Sequence, residues 1–110
     1  MAKRNLYLKP KPTLHDFQDY VAKMIKERGF DNEKLPEVFM LFIEECGEMA
    51  KAVRKKYKHI KSHKESEDFE LEHEVADVFM YLLDICNYLD IDLEKAFREK
   101  EKINKKRVWK

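Results

Sequence analysis

Glycine and proline are scarce in this chain, with two and three copies among 110 residues. A β-sandwich or barrel needs a turn signal every ~8–12 residues, which so few turn formers do not supply. Cysteine is sparse too. Cys46 and Cys86 lie far apart, form no Cys-x-x-Cys pair and each sits among apolar neighbours. That pattern reads as two reduced core thiols in a cytoplasmic protein, not as a disulfide or a metal site. No apolar run approaches the ~20 residues of a membrane span. The first twelve residues are basic but lack the apolar stretch of about 7–15 residues that a secretory signal carries. Net charge is also nearly absent: 23 Lys+Arg against 22 Asp+Glu leaves +1. So balanced a total opposes general binding to a polyanion such as nucleic acid.

What is present is a helical pattern. Residues are 44% apolar and 41% charged, too apolar for a disordered chain. The expected organisation is a basic N-terminal arm at 1–12 and one all-α domain at 13–110. Thr13 is an N-cap with Asp16 three residues later. Leu14, Phe17, Val21 and Met24/Ile25 recur at helical spacing, and Gly29 ends that helix. Pro36 fits the first turn of a second helix reaching about Tyr57. Residues 58–67 read as a polar loop. A third helix is expected over about 68–88, and Asp90-Ile91-Asp92 supplies an N-cap for a fourth at about 93–107. The third helix is apolar around much of its circumference, with Met80, Leu83 and Tyr88 outside its main arc. We therefore expect an antiparallel helical hairpin with flanking helices that completes a four-helix bundle on oligomerisation.

Charge is segregated along the chain. Lys51, Arg54, Lys55, Lys56, Lys58, Lys61 and Lys64 come without an intervening acid, and the next stretch, Glu65 to Asp77, holds no Lys or Arg. By itself this describes a solvated loop flanked by helix ends that suit the macrodipole.

The acids of the second and third helices are less ordinary. On a helical wheel with Glu45 at 0°, the residues Val38, Met49, Phe42, Val53, Cys46, Phe39, Ala50 and Ile43 fall between about 20° and 160°. Leu41 and Ala52 lie on the other side, so Glu45 is inside the apolar arc and Glu48 borders it. Glu74 and Asp77 repeat the design on the third helix. A carboxylate on a buried face is costly unless paired or metal-bound. Two readings follow. The acids are boundary residues salt-bridged to lysines, or two i, i+3 pairs on facing helices form an oxygen cage for Mg²⁺.

The run Glu44-Glu45-Cys46-Gly47-Glu48-Met49-Ala50, followed after a spacer by Glu74-Val75-Ala76-Asp77-Val78, resembles the MazG-like all-α nucleoside triphosphate pyrophosphohydrolases. The similarity continues through Asp90-Ile91-Asp92-Leu93-Glu94-Lys95-Ala96 to Lys100, Asn104 and Arg107. The resemblance implies that Glu45, Glu48, Glu74 and Asp77 are metal ligands for Mg²⁺, with Mn²⁺ able to replace it. It implies that Glu44 is an outer ligand or a base that orients water. It also implies that Lys100, Asn104 and Arg107, spaced to share a helical face, donate to phosphate oxygens. The implied activity is hydrolysis of a nucleoside triphosphate to monophosphate and pyrophosphate, in a homodimer or homotetramer. The chain departs from the family at Ala76, at Ile103 and at Val108-Trp109, none of which removes a metal ligand.

A di-iron bundle needs two Glu-x-x-His motifs, and only Glu70-x-x-His73 is present. His59 and His63 have metal-like spacing but no partner pair. A helical nucleic-acid-binding or protein-interaction module draws on the basic C-terminus, but the acidic block and the balanced net charge oppose it.

Overall fold

Each helix begins and ends for a local reason. The structure, a computed structural model, describes residues 6–57 and 71–109, and the statements below concern these. They form four helices and no strand: α1 Leu14–Glu27, α2 Leu35–Tyr57, α3 Leu71–Tyr88 and α4 Leu93–Lys105. The all-α expectation holds. The polar loop at 58–67 and the start of the third helix at 68–70 lie outside the described residues.

Thr13 opens α1 with a complete capping box. Its Oγ1 accepts from the Asp16 N–H at 3.2 Å, and its own N–H donates to Asp16 Oδ2 at 2.8 Å. Two of the orphan donors of the first turn are thereby satisfied. Donation from the Thr13 backbone, aided by Lys9, holds the Asp16 carboxyl below its ordinary range. Lys9 Nζ lies 3.2 Å from Asp16 Oδ2 and ties the arm to the helix. At the other end Gly29 takes φ +77°. This lets Phe30 N donate to Ile25 O at 2.9 Å and Gly29 N to Lys26 O at 3.2 Å, a Schellman closure.

Helix α2 starts with half a capping box: the Lys34 N–H donates to Glu37 Oε1 at 2.7 Å, and Pro36 follows in the first turn, where its missing N–H costs nothing. Helix α3 ends on a second Schellman motif, with Ile91 N donating to Cys86 O at 2.8 Å. Here the left-handed position is Asp90, at φ +55°. Aspartate tolerates that region better than most L-residues, but glycine does so without steric cost. Asp90→Gly is therefore expected to raise stability by about 0.5–1 kcal/mol, measured as a urea midpoint shift at unchanged m-value.

Asp92 caps α4, accepting from the Lys95 N–H at 3.1 Å. The helix ends at Lys105, two residues short of expectation. Its last turn tightens to i→i−3 bonds, Lys106 N to Ile103 O and Arg107 N to Asn104 O, both 3.1 Å.

The chain resolves into two compact units. One comprises Met1–Asn32 with Leu83–Lys110, the other Glu33–Leu82. In the first, Val21, Met24, Leu83 and Cys86 are buried, together with the polar Gln18 and Asp84. In the second, Val38 and Ala52 are buried. Leu83 corrects an expectation. Its position outside the apolar arc of α3 predicts a residue that awaits another subunit, yet it is fully enclosed by its own chain. A helix apolar around most of its girth can be covered on more than one side, and a single-arc wheel counts only one.

Gln18 organises the first unit. Its Nε2 donates to Asn87 Oδ1 at 3.1 Å and to Ile91 O at 2.9 Å, and its Oε1 accepts from Leu93 N at 3.0 Å. Asn87 Nδ2 returns a bond to Gln18 O at 3.0 Å. Nearby, His15 Nε2 meets Asp92 Oδ2 at 2.8 Å. Its hydrogen bond and charge pairing with Asp92 raise the His15 pKa above 6.5, and the same contact lowers that of Asp92. The raised His15 value means its contribution is fully present below pH 6.5 and is lost as pH rises through the folded value. The lowered Asp92 value means its contribution is present above 3.8 and is lost as pH falls through the folded value. The melting-temperature difference between wild type and His15→Gln is thus expected to be largest near pH 5–6 and to vanish by about pH 9. A difference independent of pH would contradict an ionic pair.

Among the described residues no helix is long and apolar enough to cross a membrane.

Candidate metal centre

The second unit places Glu45 of α2 beside Glu74 and Asp77 of α3. One carboxylate oxygen from each lies within 4.8 Å of the others, and all three residues are half-buried. Glu45 stands on the same side of α2 as the buried Val38 and Ala52, so the packing that encloses those two also draws Glu45 inward. Glu74 and Asp77 lie one turn apart on α3 and reach the same point.

Three like charges at such separations are unfavourable. Glu45 shows the consequence: its carboxyl pKa is raised, first by burial, then by the charges of Asp77 and Glu74. A hydrogen bond with Asp77 and the charge of Glu48 act in the same direction. Glu48 is half-buried and lies outside the three-carboxylate group, so it contributes through charge. Glu44 is exposed, and it too lies outside that group.

The donor set fits a hard divalent cation. All three groups offer oxygen, and the ligand oxygens of an octahedral Mg²⁺ are at most about 4.2 Å apart. The observed upper spacing of 4.8 Å is close to that value.

Lys100, Asn104 and Arg107 belong to the first unit. Lys100 and Asn104 are on α4; Arg107 falls on the turn beyond its end, which corrects the expectation that all three share one face of a continuous helix. Lys100 and Arg107 are exposed. Asn104 is half-buried, and its Oδ1 is enclosed with no hydrogen-bond partner among the described residues. Both cysteines are free; Cys46 is half-buried and Cys86 buried, where burial pushes its thiol pKa up. His59 and His63 lie outside the described residues.

Sequence reasoning missed two polar positions, Gln18 and Asp84, both buried. Gln18 sits between Leu14 and Val21 on the apolar stripe of α1. The wheel that singled out Glu45 would have found it. Asp84 lies away from the main arc of α3 and carries no such signal.

Residues 36–109 match the family model described as the MazG nucleotide pyrophosphohydrolase domain. No curated protein matches the chain significantly. The matched segment covers more than half of the chain and contains every carboxylate of the centre, and the chain therefore belongs to the MazG nucleotide pyrophosphohydrolase family.

Proposed function

We propose that this protein hydrolyses a nucleoside triphosphate to its monophosphate and pyrophosphate, using Mg²⁺ or in its place Mn²⁺. The observation that carries the reading is the convergence of Glu45, Glu74 and Asp77 within 4.8 Å. Glu48 joins them as the fourth ligand. A bound divalent cation supplies positive charge for the triphosphate and Lewis acidity toward phosphoryl oxygen and water.

The residues of the chain do the rest. A water oxygen bonds to phosphorus in line with the departing pyrophosphate, and the α–β anhydride bond breaks. Glu44, exposed beside the cluster in sequence, orients that water and takes its proton. Lys100, Asn104 and Arg107 donate to phosphate oxygens and hold the negative charge that builds on the leaving group. The assignment of Arg107 does not need a continuous helix, since a flexible side chain on a turn still offers its guanidinium fork.

We also propose that a second copy of the chain covers α2 and α3, in a homodimer or homotetramer that completes a four-helix bundle around the antiparallel hairpin. Phe39, Met40 and Ile43 are 50%, 60% and 52% exposed, and Val75 is 48% exposed. So much apolar surface on a small chain supports a partner. Sedimentation as a monomer at micromolar concentration would remove this part. Two free thiols support a cytoplasmic setting.

The deciding experiment incubates the chain with ribo-, deoxyribo- and modified triphosphates plus Mg²⁺ and scores pyrophosphate against orthophosphate. Pyrophosphate with the matching monophosphate is the expected result. Orthophosphate alone, or no turnover of any triphosphate, overturns the reading.

A further inference from the structure

Helix α4 poses a problem of placement. It carries Lys100 and Asn104 and leads directly into Arg107, yet none of its 13 residues is buried. Its packing against α1 half-buries Leu93 and Ala96 but encloses no side chain fully, so polar contacts share in fixing its direction. Its N-terminus is held by polar contacts. Asp92 caps it, His15 grips Asp92, and Gln18 Oε1 takes the Leu93 N–H, one of the orphan donors of the first turn.

Gln18 is the most constrained of these groups. It is 8% exposed, and both halves of its amide are engaged. The nitrogen faces two acceptors, Asn87 Oδ1 near the end of α3 and Ile91 O in the following turn, while the oxygen faces a donor. Reversing the amide would set oxygen against two oxygens and nitrogen against an N–H, so the network admits one orientation. A single side chain from α1 thus connects the end of α3, the turn and the first residue of α4.

We infer that Gln18 is a positioning residue for substrate binding: within its own unit it fixes α4, and with it the phosphate donors Lys100, Asn104 and Arg107. This rests on the phosphate role assigned to those three residues above. The geometry gives Gln18 leverage. Leu93 and Asn104 are separated by about 16 Å of helix, so a tilt of roughly 4° at Leu93 moves Asn104 by about 1 Å. An error of that size can cost on the order of 10²-fold in rate.

The test is a double-mutant cycle on the full chain, assayed with triphosphate and Mg²⁺ well below the melting temperature of every variant. Gln18→Leu is expected to lower kcat/KM about 10-fold or more. It should leave the Mg²⁺ concentration at half-maximal thermal stabilisation unchanged, because the carboxylate cluster belongs to the other unit. In a Lys100→Ala/Arg107→Ala background the same change should cost less than about 2-fold, since the groups being positioned are gone. A merely structural glutamine would cost the same in both backgrounds, and that result overturns the inference.

Gln18→Glu covers the case in which the leucine variant does not fold. Its carboxylate can still accept from Leu93 N but cannot donate to Asn87 Oδ1 or Ile91 O. Protonation restores one donor. Its activity relative to wild type should therefore recover as pH falls from 8 to 6, and a ratio flat in pH overturns the inference. Wild-type chain that releases no pyrophosphate overturns the proposed function and this inference together. Wild-type turnover with additive losses overturns the inference alone.

Discussion

Glu45→Gln is expected to move two properties in opposite directions. Without metal the variant melts at a higher temperature than wild type. With Mg²⁺ it shows little or none of the wild-type stabilisation, and its pyrophosphate release falls on the order of 10²–10³-fold, the scale set by losing one preorganised electrostatic group. The first effect follows from the raised Glu45 pKa, caused by burial and by the charges of Asp77 and Glu74. A carboxyl with a raised folded pKa contributes stability below its unfolded value and loses it as pH rises through the folded value. At neutral pH the group is therefore a liability in the metal-free chain. Glutamine removes the charge, keeps the shape and can still donate to Asp77. The second effect follows because an amide is a poorer ligand for Mg²⁺ than a carboxylate, and it leaves the cluster one charge short. Differential scanning calorimetry with and without Mg²⁺, beside a pyrophosphate assay, measures both effects. A Glu45→Gln variant that is less stable without metal would show that Glu45 serves the fold through an ion pair. Glu48→Gln is expected to show the same pattern more weakly, since Glu48 is last among the causes of the Glu45 shift.

Much of this centre could be read from the residues because burial and charge conflict there. Glu45 inside an apolar arc is a local inconsistency, and functional sites are where such inconsistencies survive. The caps were readable for a related reason. Thr13, Gly29 and Asp92 each satisfy backbone groups that any helix end leaves open, and few residue types can do so. Gln18 escaped because glutamine is common on solvated helix faces, and its value lies in Asn87, Ile91 and Leu93, which are more than 60 residues away in sequence. The end of α4 was overrun because lysine and arginine continue a helix as readily as they close one. The proposed phosphate donors remain the hardest to read, as Lys100 and Arg107 are exposed and exposure alone does not distinguish a binding role from solvation.

The other large effect is expected at Leu83. It is fully buried, with essentially no exposed surface. Leu83→Ala removes three carbons from a packed site that can relax only in part, which costs about 2–5 kcal/mol. Against a total of about 5–15 kcal/mol, the loss is a large share. In a domain of this size each kcal/mol shifts the midpoint by about 4–8 °C, so the melting temperature should fall by at least ~8 °C. Urea unfolding at unchanged m-value checks that the loss is one of stability. A cost below about 0.5 kcal/mol would mean that Leu83 is not close-packed after all. Met80, one turn earlier and 40% exposed, provides the contrast. Within one chain Met80→Ala should cost little, because the methionine already meets water. If a second copy covers this side of α3, its cost should grow with protein concentration, as the folded assembly is favoured by mass action. Leu83→Ala should instead carry most of its penalty at every concentration. Measured together as a dilution series, the two substitutions separate the core the chain encloses for itself from the surface it presents to a partner.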